Sequence, residues 1–198
     1  MARPQSFTDE EILSAAQRVI LKKGYDAFTL AEVASEAGLS RATIIVRFKS
    51  TEALKLRLTT DMVGDFIKNL ETLPIARSGD GLLALVDHVS KMLSNRKHVA
   101  SFFAVHRGNF QNHALAALER RRGAAWFAAV SARMPPTSID HDNAVRLFAM
   151  MIGGATLMWE STPGVPASRV IDMTRDWLTL SRIPFSKRGS RAAKTRVD

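Results

Sequence analysis

Side-chain chemistry needs convergent groups, and few titratable residues in this 198-residue chain converge. The five histidines, His88, His98, His106, His113 and His141, are scattered along it. His98 and His106 stand eight apart and can share a helix face, but no carboxylate accompanies them in sequence. HExxH, P-loop and GxSxG patterns are absent. Without cysteine there is no thiolate zinc site, no disulfide framework and no thiol nucleophile. The expectation is therefore no catalytic residues, no metal and no cofactor. The polar residues that do fall into a pattern are Thr29, Ser40, Arg41 and Thr43. They stand where short helices begin, where free backbone N–H groups attract phosphate and a side chain can reach a base edge.

The elements that position them are legible from capping signals. Thr8 and Glu11 form a capping box, and Phe7 and Ile12 a hydrophobic staple. Ile12, Ala15, Ala16, Val19 and Ile20 then line one face, and Gly24 stops a helix over about 8–23. The device repeats with Thr29 and Glu32, stapled by Phe28 and Val33 and stopped at Gly38. Ser40 caps a third short helix, Arg41 to Phe48, and a break at Lys49-Ser50 leads into a long fourth helix ending near Thr72. Further helices are predicted near 80–94, 97–106, 111–133, 140–161 and 167–181, with loops at Pro135-Pro136 and Pro163 to Pro166. No alternating strand pattern appears, so the fold class is all-α.

Thr29 to Phe48 is two short helices joined by Ala37-Gly38-Leu39-Ser40. Gly38 can take positive φ, and Leu39 plugs the core between the helices. That is a helix-turn-helix, whose second helix enters the DNA major groove. Arg41 can read guanine or pair with a phosphate, and both readings stand. Ala42 and Val46 can touch a thymine methyl. Ile44 and Phe48, four apart, are core. Ile45 is either a groove residue or packing. One short helix reads few base pairs, so such modules act as dimers on two half-sites.

The stretch GYDAFTLAEVASEAGLSRATIIVRFKSTEALKLRL resembles the DNA-binding domain of TetR-family repressors. The matching positions are Gly24, Phe28, Thr29, Val33, Ala34, Ala37, Gly38, Leu39, Ser40, Thr43, Phe48, Ser50, Glu52 and Leu54. The chain departs from the family pattern in three places: Ile45 replaces the usual Tyr, Arg47 the usual His, and Thr51 the usual Lys. The Tyr and Lys commonly touch phosphate in relatives, so an altered contact set is implied. The resemblance implies DNA contacts from Thr29, Ser40, Arg41, Ala42, Thr43, Ile45, Val46, Arg47, Lys49, Thr51 and Lys55. It also implies that an effector shifts the fourth helix and changes the spacing of two reading heads.

The C-terminal half is apolar and helical. Ala144 to Trp159 is apolar nearly all round, and Val170, Ile171, Met173, Trp177, Leu178 and Leu180 give the next helix a broad apolar face. The resemblance implies that these two helices form a four-helix bundle with a second copy, through Phe148, Ile152, Ala155, Trp159, Ile171, Trp177 and Leu178; an intrachain core is the alternative. It also raises a largely apolar effector cavity around Met62, Phe66, Phe102, Phe103, His106, Phe110, Trp126, Met150 and Met151, against simple core packing.

The expected organisation is a helix-turn-helix domain over 1–52, a helical ligand-binding and dimerisation bundle over 53–181, and a basic disordered tail over 182–198. Net charge is +9. The last seventeen residues hold six Lys/Arg and one Asp/Glu, so most of the excess is in the tail. No signal peptide or membrane span is visible, and a cytoplasmic location is expected. The expected partners are double-stranded DNA, an unidentified small-molecule effector and a second copy of the chain. A small-molecule-binding homologue without DNA function is the competing expectation; an all-helical enzyme would need an acid/base cluster the sequence does not display.

Overall fold

A computed structural model describes residues 7–24, 28–92 and 95–185. Among them are nine helices and no strand: α1 (Asp9–Lys23), α2 (Leu30–Ala37), α3 (Arg41–Phe48), α4 (Thr51–Glu71), α5 (Gly79–Met92), α6 (Arg96–Asn109), α7 (His113–Arg133), α8 (His141–Ser161) and α9 (Ser168–Leu180). The all-α expectation holds.

The N-terminal caps form as the sequence dictates. The Thr8 hydroxyl accepts from the Glu11 N–H at 3.2 Å, and the Glu11 carboxylate accepts from the Thr8 N–H at 2.7 Å. At α2 the Thr29 hydroxyl takes the Glu32 N–H at 3.2 Å. The Glu32 carboxylate, expected to reach back to Thr29, instead pairs with Lys23 of α1. Gly38 ends α2 in the left-handed region at φ 67, with its N–H bonded back to the helix. α3 closes more tightly. Lys49 at φ 66 is the centre of a γ-turn, with the Ser50 N–H donating to the Phe48 carbonyl at 2.7 Å.

Two cores result. The first gathers Ile12, Ala16, Val19, Phe28, Val33, Ile44, Phe48, Leu54 and Leu58. The second gathers Leu70, Leu82, Leu85, Val130, Met134, Phe148, Ile152, Val170 and Leu178. α4 belongs to both: Leu54 and Leu58 lie in the first, Leu70 in the second. The 52/53 boundary expected from sequence therefore falls at the start of a helix whose first turns complete the N-terminal core. α6 is also shared, because Val105 joins the first core and the Ser101 hydroxyl donates to the Ile20 carbonyl of α1 at 3.5 Å.

Disorder was expected from Arg182 onward, but the chain stays packed for several residues more. Ile183 is buried in the second core, and the Pro184 carbonyl accepts the Gly79 N–H at 2.7 Å. This strap holds the start of α5, where a Cβ on Gly81 would lie 2.0 Å from the Ala76 carbonyl oxygen. The remainder of the expected basic tail, 186–198, lies outside the described residues.

The αL geometry gives a testable consequence. A Cβ at Gly38 meets no neighbouring atom, so the cost of a side chain there is conformational only. Gly38→Ala is expected to lower unfolding free energy by about 1–2 kcal/mol and Gly38→Asn by less, read as a fall of a few degrees in Tm.

Candidate nucleic-acid interface and effector site

The outward face of α3 is set by what its inward face buries. Ile44 is 0% exposed and Phe48 7%. With those two anchored, the 3.6-residue period turns Ala42 and Val46 outward. Arg41 in the first turn, Ile45 and Arg47 on the two flanks, and Lys49 at the C-cap are exposed as well. Val46 is 81% exposed. Ile45 lies on the outer face, which resolves the choice between groove and packing in favour of exposure.

The remaining predicted contact residues are less free. Ser40 is a cap: its hydroxyl accepts the Thr43 N–H at 3.0 Å and shares a hydrogen bond with the Thr43 hydroxyl at 2.9 Å. Thr29 caps α2 and is exposed. Thr51 is half-buried at the start of α4, where Ser50 provides the cap. Lys55 lies over the Phe28 ring at 5.6 Å. Arg47 departs furthest from expectation. Its Nε donates to the Asp9 carboxylate at 2.9 Å and its Nη1 to the Phe7 carbonyl. The guanidinium ties the end of α3 to the start of α1, while the side chain stays 32% exposed. Sequence reasoning missed Asp9, since a contact across 38 residues has no local signal.

Other basic residues of the head are also matched. Arg18 and Lys22 of α1 hold Glu36 of α2 at 2.8 and 2.9 Å. Hydrogen bonds from Lys22 and then Arg18 keep the Glu36 carboxyl below the usual range. A groove of about 660 Å³ beside this pair is lined by Glu10, Glu11 and Glu36. Its acidic wall has the wrong sign for a phosphate backbone. The positive face of the head is thus the α3 side, with Arg41 and Lys49 exposed at its two ends.

The residues expected to line one effector cavity separate. Met62 packs against the first core, whereas Phe66, Trp126 and Met151 border the second. Met150 is 71% exposed and points away from any interior, which corrects its assignment. Phe102, Phe103, His106 and Phe110 stay together on α6: Phe102 stacks on His106 at 5.9 Å, and Phe110 meets His106 edge-on at 5.0 Å. Phe110 is 49% exposed, so it is the rim of that stack and not a cavity wall.

Behind the stack lies a buried polar cluster that sequence reasoning missed. Glu119 of α7 is 2% exposed. One carboxylate oxygen accepts from Asn109 Nδ2 at 2.7 Å; the other faces His106 Nδ1 at 2.7 Å and an Arg122 nitrogen. Arg122 also lies 4.5 Å over the Phe102 ring. Burial alone would raise the Glu119 carboxyl, but the hydrogen bonds from His106 and Asn109 and the Arg122 charge outweigh it and hold the pKa below the usual value. Arg122 is the inward member of the run Arg120-Arg121-Arg122, whose other two residues are exposed. The signal was available: positions 115, 119, 122 and 126 follow helical spacing, placing Glu119 and Arg122 on the stripe of Leu115 and Trp126.

The expected dimer residues also need correction. Phe148 and Leu178 are 0% exposed, Ile152 8% and Ala155 4%, all inside the second core. Phe148 packs against Trp177 at 5.5 Å between ring centres. Trp159 donates its indole N–H to the Val165 carbonyl at 3.0 Å and lies under Arg96. Ile171 and Trp177 are half-buried. The face α8 leaves in water carries Leu147, Met150, Leu157 and Met158, 49–71% exposed, with Gly153 and Gly154 between them.

Removing one member of the buried cluster leaves a charge without its partner. Glu119→Ala is expected to cost about 3–5 kcal/mol in denaturant unfolding, and Glu119→Leu with Arg122→Met far less. Because the folded carboxyl titrates below its unfolded value, its contribution is complete above the ordinary glutamate range. It is lost as pH falls through the depressed folded pKa, so the wild type should lose this increment in acid and the double variant should not.

Comparison with known proteins agrees with this geometry. Residues 12–58 match the sequence profile of bacterial regulatory proteins of the tetR family. A 30% identical segment of 89 residues, 45% of this chain, is shared with an uncharacterized HTH-type transcriptional regulator of Mycobacterium tuberculosis, covering 44% of it. The fatty acid metabolism regulator protein of Bacillus subtilis is 33% identical over 61 residues, 31% of each chain. The Escherichia coli HTH-type transcriptional repressor BdcR is 32% identical over 74 residues, 37% of this chain and 35% of that one. The chain thus matches less than half the length of these relatives. Among solved structures, the fold is that of FadR from Bacillus subtilis in complex with stearoyl-CoA (TM-score 0.69, 17% identity, 87% of this chain and 97% of that one). It is also that of a putative regulator from Saccharomonospora viridis in complex with choline (TM-score 0.73, 20% identity, 88% and 96%). A TetR transcription regulator from Haloarcula marismortui aligns with a TM-score of 0.72 at 17% identity over 89% and 98% of the two chains. Residues 12–58 are thus similar to the tetR-family profile, and the described helices share the fold of solved TetR-type regulators.

Proposed function

We propose that the chain is a ligand-responsive, dimeric transcriptional regulator, a repressor, that binds a palindromic operator through α3. The observation carrying this reading is the exposure of Ala42, Ile45 and Val46 on a helix anchored by Ile44 and Phe48, with Arg41 and Lys49 exposed at its two ends. It is an element of groove-fitting size held rigidly from behind. The likeness to regulators named as HTH-type supports the same reading.

Its parts follow the organisation proposed from sequence: a head over 1–52, a helical effector and dimerisation domain over 53–181, and a cytoplasmic location. No described helix is long and apolar enough to cross a membrane. The dimer surface is proposed at the outer face of α8, Leu147, Met150, Leu157 and Met158, because an apolar strip of that length costs free energy in water until it is covered. The two glycines between them let a second copy approach closely. The effector is proposed to be a largely apolar small molecule entering beside Phe66, Trp126 and Met151, where α4 packs on α7 and α8 closes the second core. The fold neighbours solved in complex with stearoyl-CoA and with choline support a small-molecule ligand. A ligand that favours one packing of α4 on α7 shifts the first turns of α4, and with them the head; a preference of a few kcal/mol is enough.

One observation favours the second reading, a small-molecule-binding homologue without operator binding. Arg47 is engaged by Asp9, and Ile45 and Thr51 carry no charge where relatives have phosphate contacts.

The two readings separate in a binding titration. Full-length protein and a palindromic duplex from the region upstream of its own coding sequence should give salt-sensitive complexes. With Arg41 and Lys49 on two heads, the log–log slope of affinity against salt should be about −4. No salt-sensitive binding would establish the second reading instead. Leu147→Glu with Leu157→Glu is expected to give monomers in sedimentation and to abolish operator binding while the head stays folded.

A further inference from the structure

The outer face of α3 is unusual in what it lacks. Positions 42, 45 and 46 neighbour one another on α3 at helical spacing, and all three are aliphatic; Lys49 follows at the C-cap. Val46 is 81% exposed and Ile45 39%, adjacent to exposed Ala42. Hydrogen-bonding groups that could read bases are committed elsewhere. The Thr43 hydroxyl is bonded to Ser40 and half-buried. The Arg47 guanidinium is held by Asp9 and the Phe7 carbonyl. Arg41, at the first turn, is an exposed polar side chain suited to a base edge.

An aliphatic patch bracketed by two cations, Arg41 and Lys49, fits a surface that is anionic at its margins and apolar at its centre. In the major groove the one apolar feature on base edges is the 5-methyl group of thymine. Resting on the operator-binding reading above, we propose that Ala42, Ile45 and Val46 form a thymine-methyl reading surface. Sequence preference is then set by apolar contact with T·A pairs under α3, with Arg41 supplying hydrogen bonds at one end of each half-site.

The contact energy is that of burying a methyl group from water, about fourfold in affinity per thymine. Deoxyuridine removes that methyl and leaves every hydrogen-bonding group of the base in place. The full-length chain is used to enrich duplexes from a random pool. Each enriched thymine is then replaced singly by deoxyuridine, and binding is measured by fluorescence anisotropy for the wild type, Ile45→Ala, Val46→Ala and Val46→Thr. Enriched half-sites should contain thymines whose replacement weakens the wild type about fourfold each. Val46→Ala should lose discrimination at one thymine per half-site with an unchanged salt slope, and Val46→Thr, with a hydroxyl in place of a methyl, should lose most of it. Equal binding of thymine and uracil duplexes by the wild type would overturn the proposal. So would full discrimination retained by both Ile45→Ala and Val46→Ala. Failure of the operator-binding reading looks different: no duplex would be retained from the pool, and the proposal would fall with it.

Discussion

Burial of Ile44 and Phe48 is the constraint on which the reading head depends. These two side chains, one helical turn apart, fix the rotation of α3 about its own axis. A rotation by one residue, about 100°, would drive Thr43 and Arg47, or Ile45, toward the first core and expose Ile44. Everything outside the helix supports this setting. Gly38 and Leu39 turn the chain into α3, the γ-turn at Lys49 turns it out, and Arg47 bolts its end to the start of α1. Arg47 thus serves as a brace within the head. Rigidity gained this way reduces the ordering cost of docking.

The two cores are coupled because two helices are shared between them. α4 carries Leu54 and Leu58 into the first core and Leu70 into the second. α6 lays Val105 against the first core while Asn109 and His106 bind Glu119 of α7. A repacking around α7 therefore cannot remain local. Packed interiors switch between discrete arrangements more readily than they deform continuously, and a buried, fully hydrogen-bonded carboxylate–guanidinium pair is a register pin of that kind. Arg133 and Arg96 play a related part, donating to the loop carbonyls of Leu73 and Pro74 and to the end of α8. Their long side chains satisfy backbone acceptors that no helix can reach.

The sequence by itself determined the helices and the head. Capping boxes, stapled apolar pairs and helix-stopping glycines are local signals, because each is a hydrogen bond or contact within four residues. For that reason the starts of α1, α2 and α3, the turn at Gly38 and the pairing of Ile44 with Phe48 could all be read directly. Burial within α8 could not. An all-round apolar helix presents no marked face, so sequence could not distinguish Phe148, Ile152 and Ala155, which fill the chain's own core, from Leu147, Met150 and Leu157, which face water. Only the positions of α6, α7 and α9 against α8 decide that. The same holds for Arg47, whose partner is 38 residues away, for the His106 and Asn109 partners of Glu119, which arrive from another helix, and for Ile183, which the tail's composition marked as disordered. Contacts across the fold are selected by geometry that no local spacing encodes, and there the tertiary structure alone assigned each side chain its place.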